Sequence, residues 1–135
     1  MRRGGPSDLD SISAIQAASP EAAQWTPADY LQHDFRVALL DARVVGFLIT
    51  RTLAPGESEI LNLAVAPDCR RQGVARALIQ ACLRDLQGDL FLEVRASNRT
   101  ARNFYKSLGF EDFIVRPEYY SSPLETGIVM KFHSC

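Results

Sequence analysis

The stretch Arg70-Arg71-Gln72-Gly73-Val74-Ala75-Arg76 combines three guanidinium groups with a glycine and small apolar residues. It lies between two runs of different character. Glu59 to Val65 is apolar and reads as a buried strand, ended by Pro67. From Gly73 onward, Ala75, Leu78, Ile79, Cys82, Leu83 and Leu86 fall on one face at helical spacing, with Gly88 as the terminator. The first amides of a helix have no intrahelical acceptor and sit at the positive end of its dipole. A glycine at the entry lets an anion approach the backbone, and the arginines add charge. Such a junction can hold a pyrophosphate. A solvated arginine cluster ahead of a helix fits the same residues. The other phosphate motifs are absent, since the chain has neither Gly-Lys-Ser/Thr nor G-x-G-x-x-G.

The elements around this junction alternate in type. Ser7 is placed to cap a helix carrying Leu9, Ile12 and Ile15, which ends before Pro20. Trp25 to Phe35 is less regular, with Pro27 at a first helical position. Arg36–Leu40 and Val44–Thr50 read as a hairpin turning at Asp41-Ala42-Arg43, and Pro55-Gly56 makes the next turn. Leu90–Val94 is a further strand. Ser97 or Asn98 then caps a short helix with Ala101, Phe104, Tyr105 and Leu108 inward and Gly109 at its end. Phe110–Val115 and Gly127–Phe132 complete the strands. The order predicts an α/β chain with a mixed sheet and helices on both faces. Its 135 residues fit one domain, residues 1–135.

Composition narrows the chemistry. Hydrophobic residues make up 47% and charged residues 23%, the profile of a packed domain rather than a disordered one. A formal net charge of −1 argues against direct nucleic-acid binding. No apolar run is long enough to span a bilayer, and Met-Arg-Arg-Gly-Gly-Pro lacks the apolar core of a secretory signal. Cys69, Cys82 and Cys135 share no metal-ligand spacing and read as free thiols of a reducing, cytoplasmic setting, with no metal expected. Cys69 lies near the arginine loop, but no histidine accompanies it locally, which argues against an acyl-cysteine route. His33 and His133 read as surface residues.

Arg70 to Ala75 resembles the Arg/Gln-x-x-Gly-x-Gly/Ala coenzyme A motif of the GNAT acetyltransferases. Asn62-Leu-Ala-Val-Ala-Pro-Asp-Cys-Arg-Arg-Gln-Gly-Val-Ala-Arg-Ala-Leu matches that family in register. Leu92-Glu-Val-Arg-Ala-Ser-Asn98, Phe104-Tyr-Lys-Ser-Leu-Gly-Phe110 and Arg116-Pro-Glu-Tyr-Tyr120 resemble segments of its RimI branch, which acetylates the amino terminus of a ribosomal protein. The resemblance runs from about Glu59 to Met130. Before it, Trp25 is similar to the Pro-Trp opening that branch's substrate loop. Ala75 stands where many members carry a second glycine, a change the pattern admits.

The resemblance implies a GNAT fold, with a central, mostly antiparallel sheet and one splayed parallel pair, Glu59–Val65 beside Leu90–Val94. It implies acetyl-CoA as co-substrate, held by Leu63, Ala64 and Val65 on the strand and by Arg70, Arg71, Gln72, Gly73, Val74, Ala75 and Arg76 at the pyrophosphate. Asn98 and Tyr105 are further matches to the coenzyme site. Backbone groups of Leu63 and Val65 are expected to pair with the pantetheine arm. The implied general base is Glu93, and the implied acid that protonates the departing thiolate is Tyr105. Glu59 competes for the base, because other branches keep theirs at that strand position. Competing structural readings are an ion pair from Glu93 to Arg95 or Arg99, and a core packing role for Tyr105. The implied acceptor is a primary amine, foremost a protein amino terminus; Glu118, Tyr119 and Tyr120, with Trp25 and Tyr30, can line a groove for it, or else form an ordinary aromatic-rich loop packed against the sheet. A small amine is the second reading, and a coenzyme-binding module without catalysis is the third. A monomer or weak dimer is expected.

Overall fold

A computed structural model describes residues 1–19, 26–86, 88–121 and 124–134. The elements are strand β1 (Arg2–Arg3), helix α1 (Leu9–Ala17), strands β2 (Asp34–Leu40), β3 (Arg43–Ala54) and β4 (Glu57–Val65), helix α2 (Val74–Asp85), strand β5 (Gly88–Arg95), helix α3 (Arg99–Ser107), and strands β6 (Glu111–Ser121) and β7 (Leu124–Ser134). The sheet has seven strands in the order β1-β2-β3-β4-β5-β7-β6. The pairs β1–β2, β2–β3, β5–β7 and β6–β7 are antiparallel, and β4–β5 is parallel. The sheet is mixed, as the element order implies. The chain divides into two compact units, one of Met1–Arg51 with Ile60–Asp85, the other of Thr52–Glu59 with Leu86–Cys135.

In the first unit, Phe35 and Val37 of β2 and Phe47 and Ile49 of β3 are buried on one face, and β3 is buried on its other face too, where Gly46 lies against Val74 and Leu78 of α2. Arg36 of β2 reaches the C-terminal turn of α2, donating to the Ala81 carbonyl at 3.4 Å and pairing with Asp85. The first helix begins differently from the sequence expectation. Pro6–Asp8 forms a 3₁₀ turn ahead of α1, so Ser7 is no cap. Asp8 is instead held by Arg2, with two contacts of 2.8 Å. The segment Pro27–Gln32 is a 3₁₀ turn that delivers Tyr30 into the core, while Trp25 lies outside the described residues.

In the second unit, Leu90, Leu92 and Val94 of β5 are buried, and the alternate residues Phe91, Glu93 and Arg95 are half-buried. Tyr105, Phe110, Ile128 and Met130 add to this core. The parallel ladder of β4 and β5 comprises Glu57↔Asp89, Ser58↔Leu90 and Glu59↔Phe91, and it ends there. Gly88 belongs to this ladder's start and not to the end of α2. A β-carbon at Gly88 would fall 2.0 Å from the Gly56 carbonyl oxygen, and its φ of 142° suits glycine alone.

Candidate active site

The loop after β4 is shaped by its own backbone. Arg71 and Gly73 both take left-handed torsions, with φ of 62° and 83°. Two such residues in three turn the chain sharply into α2, and Gly73 accepts the Ala77 amide at 3.0 Å as the helix begins. A β-carbon on Gly73 would meet nothing within 4 Å, so the glycine faces open space that a ligand can enter. The first turn of α2 carries no acidic residue, and Arg71 and Arg76 are exposed beside it. These are the requirements of an anion site at a helix start, and a pyrophosphate fits them.

Arg70 is used otherwise. Its guanidinium donates to the Val65 carbonyl at 3.2 Å and, at the end of α1, to Ser19 Oγ at 2.8 Å and the Ala18 carbonyl at 3.3 Å. It braces the loop against α1. The Leu63 amide is also engaged, donating to Asn62 Oδ1 at 3.0 Å. N–H and C=O groups of alternate strand residues point to one edge, so side chains meet the Leu63 amide and the Val65 carbonyl on the same edge of β4. Behind it, Asn62 Nδ2 donates to the Tyr30 hydroxyl at 2.9 Å, and that hydroxyl donates to Gln16 Oε1 at 2.5 Å. All three are buried, and burial pushes the Tyr30 phenol up. Tyr30 therefore buttresses β4 from within, which corrects its placement on a groove surface. Asn62 lay in the matched motif, but only the folded chain shows what it holds.

In the second unit, Glu59, Phe91 and Glu93 share one face, since Glu59 is level with Phe91 and residues two apart on a strand point the same way. Glu93 Oε1 accepts from Arg116 Nη1 at 2.6 Å. Its partner is thus Arg116 rather than Arg95 or Arg99: Arg95 pairs with Glu125 at 3.5 Å, and Glu125 also accepts the Ser97 amide at 2.6 Å. Glu93 Oε2 is buried and has no hydrogen-bond partner among the described residues. Tyr105 packs on Phe104 and, edge-on, on Phe110, with ring centroids 5.3 and 5.5 Å apart. It is 9% exposed, and burial pushes its phenol well above the ordinary range, so it stays protonated. Asn98 caps α3, accepting the Ala101 amide at 3.1 Å.

The remaining candidates do not gather. Cys69 and Cys82 are buried, with the Cys82 thiol pushed up by burial, and Cys135 lies outside the described residues. The described residues hold no cluster of three metal-ligating side chains. Among them no helix is long and apolar enough to cross a membrane. Glu118, Tyr119 and Tyr120 lie on β6, and their side chains fall outside the described ones.

Residues 9–110, well over half of the chain, match the model of the acetyltransferase (GNAT) family. The chain belongs to that family. It is 39% identical over 84 residues to the [ribosomal protein bS18]-alanine N-acetyltransferase of Escherichia coli strain K12, a match covering 59% of this chain and 56% of that protein. The chain thus spans little more than half the length of that relative. The crystal structure of the ribosomal-protein-S18-alanine N-acetyltransferase from Escherichia coli superposes with a TM-score of 0.84 at 28% identity, covering 98% of this chain and 91% of the other. The crystal structure of Ard1 from Thermoplasma volcanium gives 0.88 at 31% identity, covering 99% and 96%. The seven-stranded mixed sheet with its single parallel pair is thus the GNAT fold.

Proposed function

We propose that this chain is an N-acetyltransferase that moves the acetyl group of acetyl-CoA directly onto a primary amine. The observation that carries the reading is the loop after β4, where left-handed torsions at Arg71 and Gly73 open the start of α2 to a pyrophosphate. In this reading the amides of Arg71 to Arg76 hold the pyrophosphate, and the pantetheine arm runs beside Leu63, Ala64 and Val65. Because Asn62 and Arg70 already serve that edge, the arm pairs there only as those side chains give way.

Acetyl-CoA supplies an activated acyl group, and the protein manages two protons. A bond forms between the amine nitrogen and the acetyl carbon as the carbon–sulfur bond breaks. Glu93 takes the proton that the nitrogen sheds, through the oxygen that has no partner among the described residues. Tyr105, kept protonated by burial, gives its proton to the departing thiolate and is refilled from water. Amide and free coenzyme A are the products, and no oxidant or metal enters. Glu59 shares the face of Glu93 and is the second candidate for the base.

We propose the α-amine of a protein amino terminus as acceptor, supported by the activity named for the Escherichia coli relative, with a cytoplasmic single-domain enzyme as its setting. An α-amine has a reference pKa near 8, so the base has a moderate task near neutrality. The test is release of coenzyme A thiol from acetyl-CoA over a panel of amino-terminal peptides, amino acids and polyamines. Turnover confined to the peptides supports the reading. Turnover confined to small amines replaces the acceptor, and coenzyme binding without turnover replaces the enzyme by a binding module.

A further inference from the structure

Arg116 reaches Glu93 by a specific route through the sheet. Across β5, β7 and β6 the rungs are Glu93↔Val129↔Ile114 and Arg95↔Gly127↔Arg116. Adjacent strands lie about 4.8 Å apart, so β5 and β6 are separated by roughly 10 Å. The strand between them carries glycine on the rung of Arg116. Gly127 itself is buried and adds no side chain to the crossing, and Arg116 reaches past it diagonally to Glu93.

A register shift puts Arg116 on the right face. Asp112 pairs with Met130, but Ile114 pairs with Val129, so Phe113 is an extra residue in β6. Before this bulge Asp112 shares the face of buried Met130 and pairs with Arg102 and Lys106 of α3, at 3.3 and 3.8 Å. After it, Ile114 and Arg116 lie on the face of Glu93. Without the extra residue, Arg116 would point the opposite way.

We propose that Arg116 is a positioning residue for catalysis: it holds Glu93 by Oε1 alone and so keeps Oε2 in place for the acceptor's proton. This rests on the reading of Glu93 as the base. The contact is a single one, from Nη1 to Oε1. A two-pronged clamp would occupy both carboxylate oxygens and leave none for chemistry. Here the second oxygen is buried without a partner among the described residues, a costly state for a carboxylate unless an arriving N–H completes it. Glu93 is 19% exposed at its side chain and Arg116 47%, so the clamp enters from the solvent side and holds the base from its rim.

The test uses the full chain with acetyl-CoA and whichever amine of the panel turns over fastest. Arg116→Ala should lower kcat roughly 10–100-fold, the cost of a misplaced group, while the coenzyme's melting shift and the acceptor KM change little. Guanidinium ion in the buffer should restore part of that loss, Arg116→Lys should retain an intermediate rate, and Glu93→Gln should respond to neither. Gly127→Val, which puts a side chain on the crossing, should reproduce the Arg116→Ala defect while Arg116 is intact. A wild-type kcat in Arg116→Ala, with Glu93→Gln slow, overturns the positioning role alone. A slow Arg116→Ala that guanidinium does not improve, with a lowered melting temperature, also overturns it by making the pair structural. Full activity in Glu93→Gln, or a wild type that turns over no amine, overturns the underlying reading as well.

Discussion

Arg71 and Gly73 shape the loop before α2 through their own torsions, whereas Glu93 is aimed by an arginine 23 residues away on another strand. The loop is a local device, built by the torsions of a few consecutive residues. The Glu93 face is assembled from β5, β7 and β6, with a bulge at Phe113 setting which side chains share it. The difference teaches that one chain can shape one feature by local torsions and another by side chains meeting across strands. The two then fail differently: a local device at its own residues, an assembled one at residues far from the chemistry.

The largest expected effect lies on the assembled side. Glu93→Gln keeps shape but cannot take a proton, so kcat should fall roughly 10²–10⁴-fold with the coenzyme's melting shift preserved. Glu59→Gln should stay near the wild-type rate. The opposite order, read by thiol release, moves the base to β4.

Tyr105→Phe comes next, with a loss of about 10²-fold in the chemical step and less with an acyl donor whose thiol is more acidic. Burial raises this phenol, which also fixes a sign for stability. The unfolded chain releases the proton near pH 10 while the folded chain still holds it. The contribution is therefore complete below about pH 10 and is lost as pH rises further. In urea melts at high pH the phenylalanine variant should show a shallower decline than wild type. An equal decline would mean that Tyr105 is not buried in solution.

The local device is probed by Gly73→Glu. Coenzyme A at a hundredfold over its Kd should stabilise the wild type by about 2.7 kcal/mol, a shift of several degrees. The variant should show none of it, because a charged side chain would occupy the open space at a backbone φ of 83°. A melting curve of the variant without coenzyme separates this from general unfolding, and a full shift in the variant would remove the loop from the site. The smallest effect is at Asn98, which caps α3 and is proposed to touch the coenzyme. Asn98→Ala should cost about 1 kcal/mol of stability. Asn98→Ser should restore that cost and still show a reduced coenzyme shift. An undiminished shift would leave Asn98 as a cap alone.

Much of the frame was legible because it depends on neighbours in sequence. The helical stripe from Ala75 to Leu86, the cap at Asn98 and the hairpin at Asp41-Ala42 need only short-range periodicity and turn chemistry. The departures share one origin. Ser7 and Gly88 were expected to cap or end helices, but Pro6–Asp8 forms its own turn and Gly88 is required by the Gly56 carbonyl in the turn between β3 and β4. Tyr30 follows the packed one of its two sequence readings, and nothing nearby in sequence reveals the Gln16 and Asn62 groups that meet its hydroxyl.

By itself the sequence determined that a strand end, a glycine with flanking arginines and a helix start follow one another here, because these are properties of consecutive residues. Tertiary structure alone decided which cation meets Glu93 and which of its oxygens has no partner among the described residues. Side chains alternate across a strand with a period of two, so one added residue at Phe113 reverses the face on which Arg116 stands. No local pattern records that reversal, because it exists only relative to the register of β7.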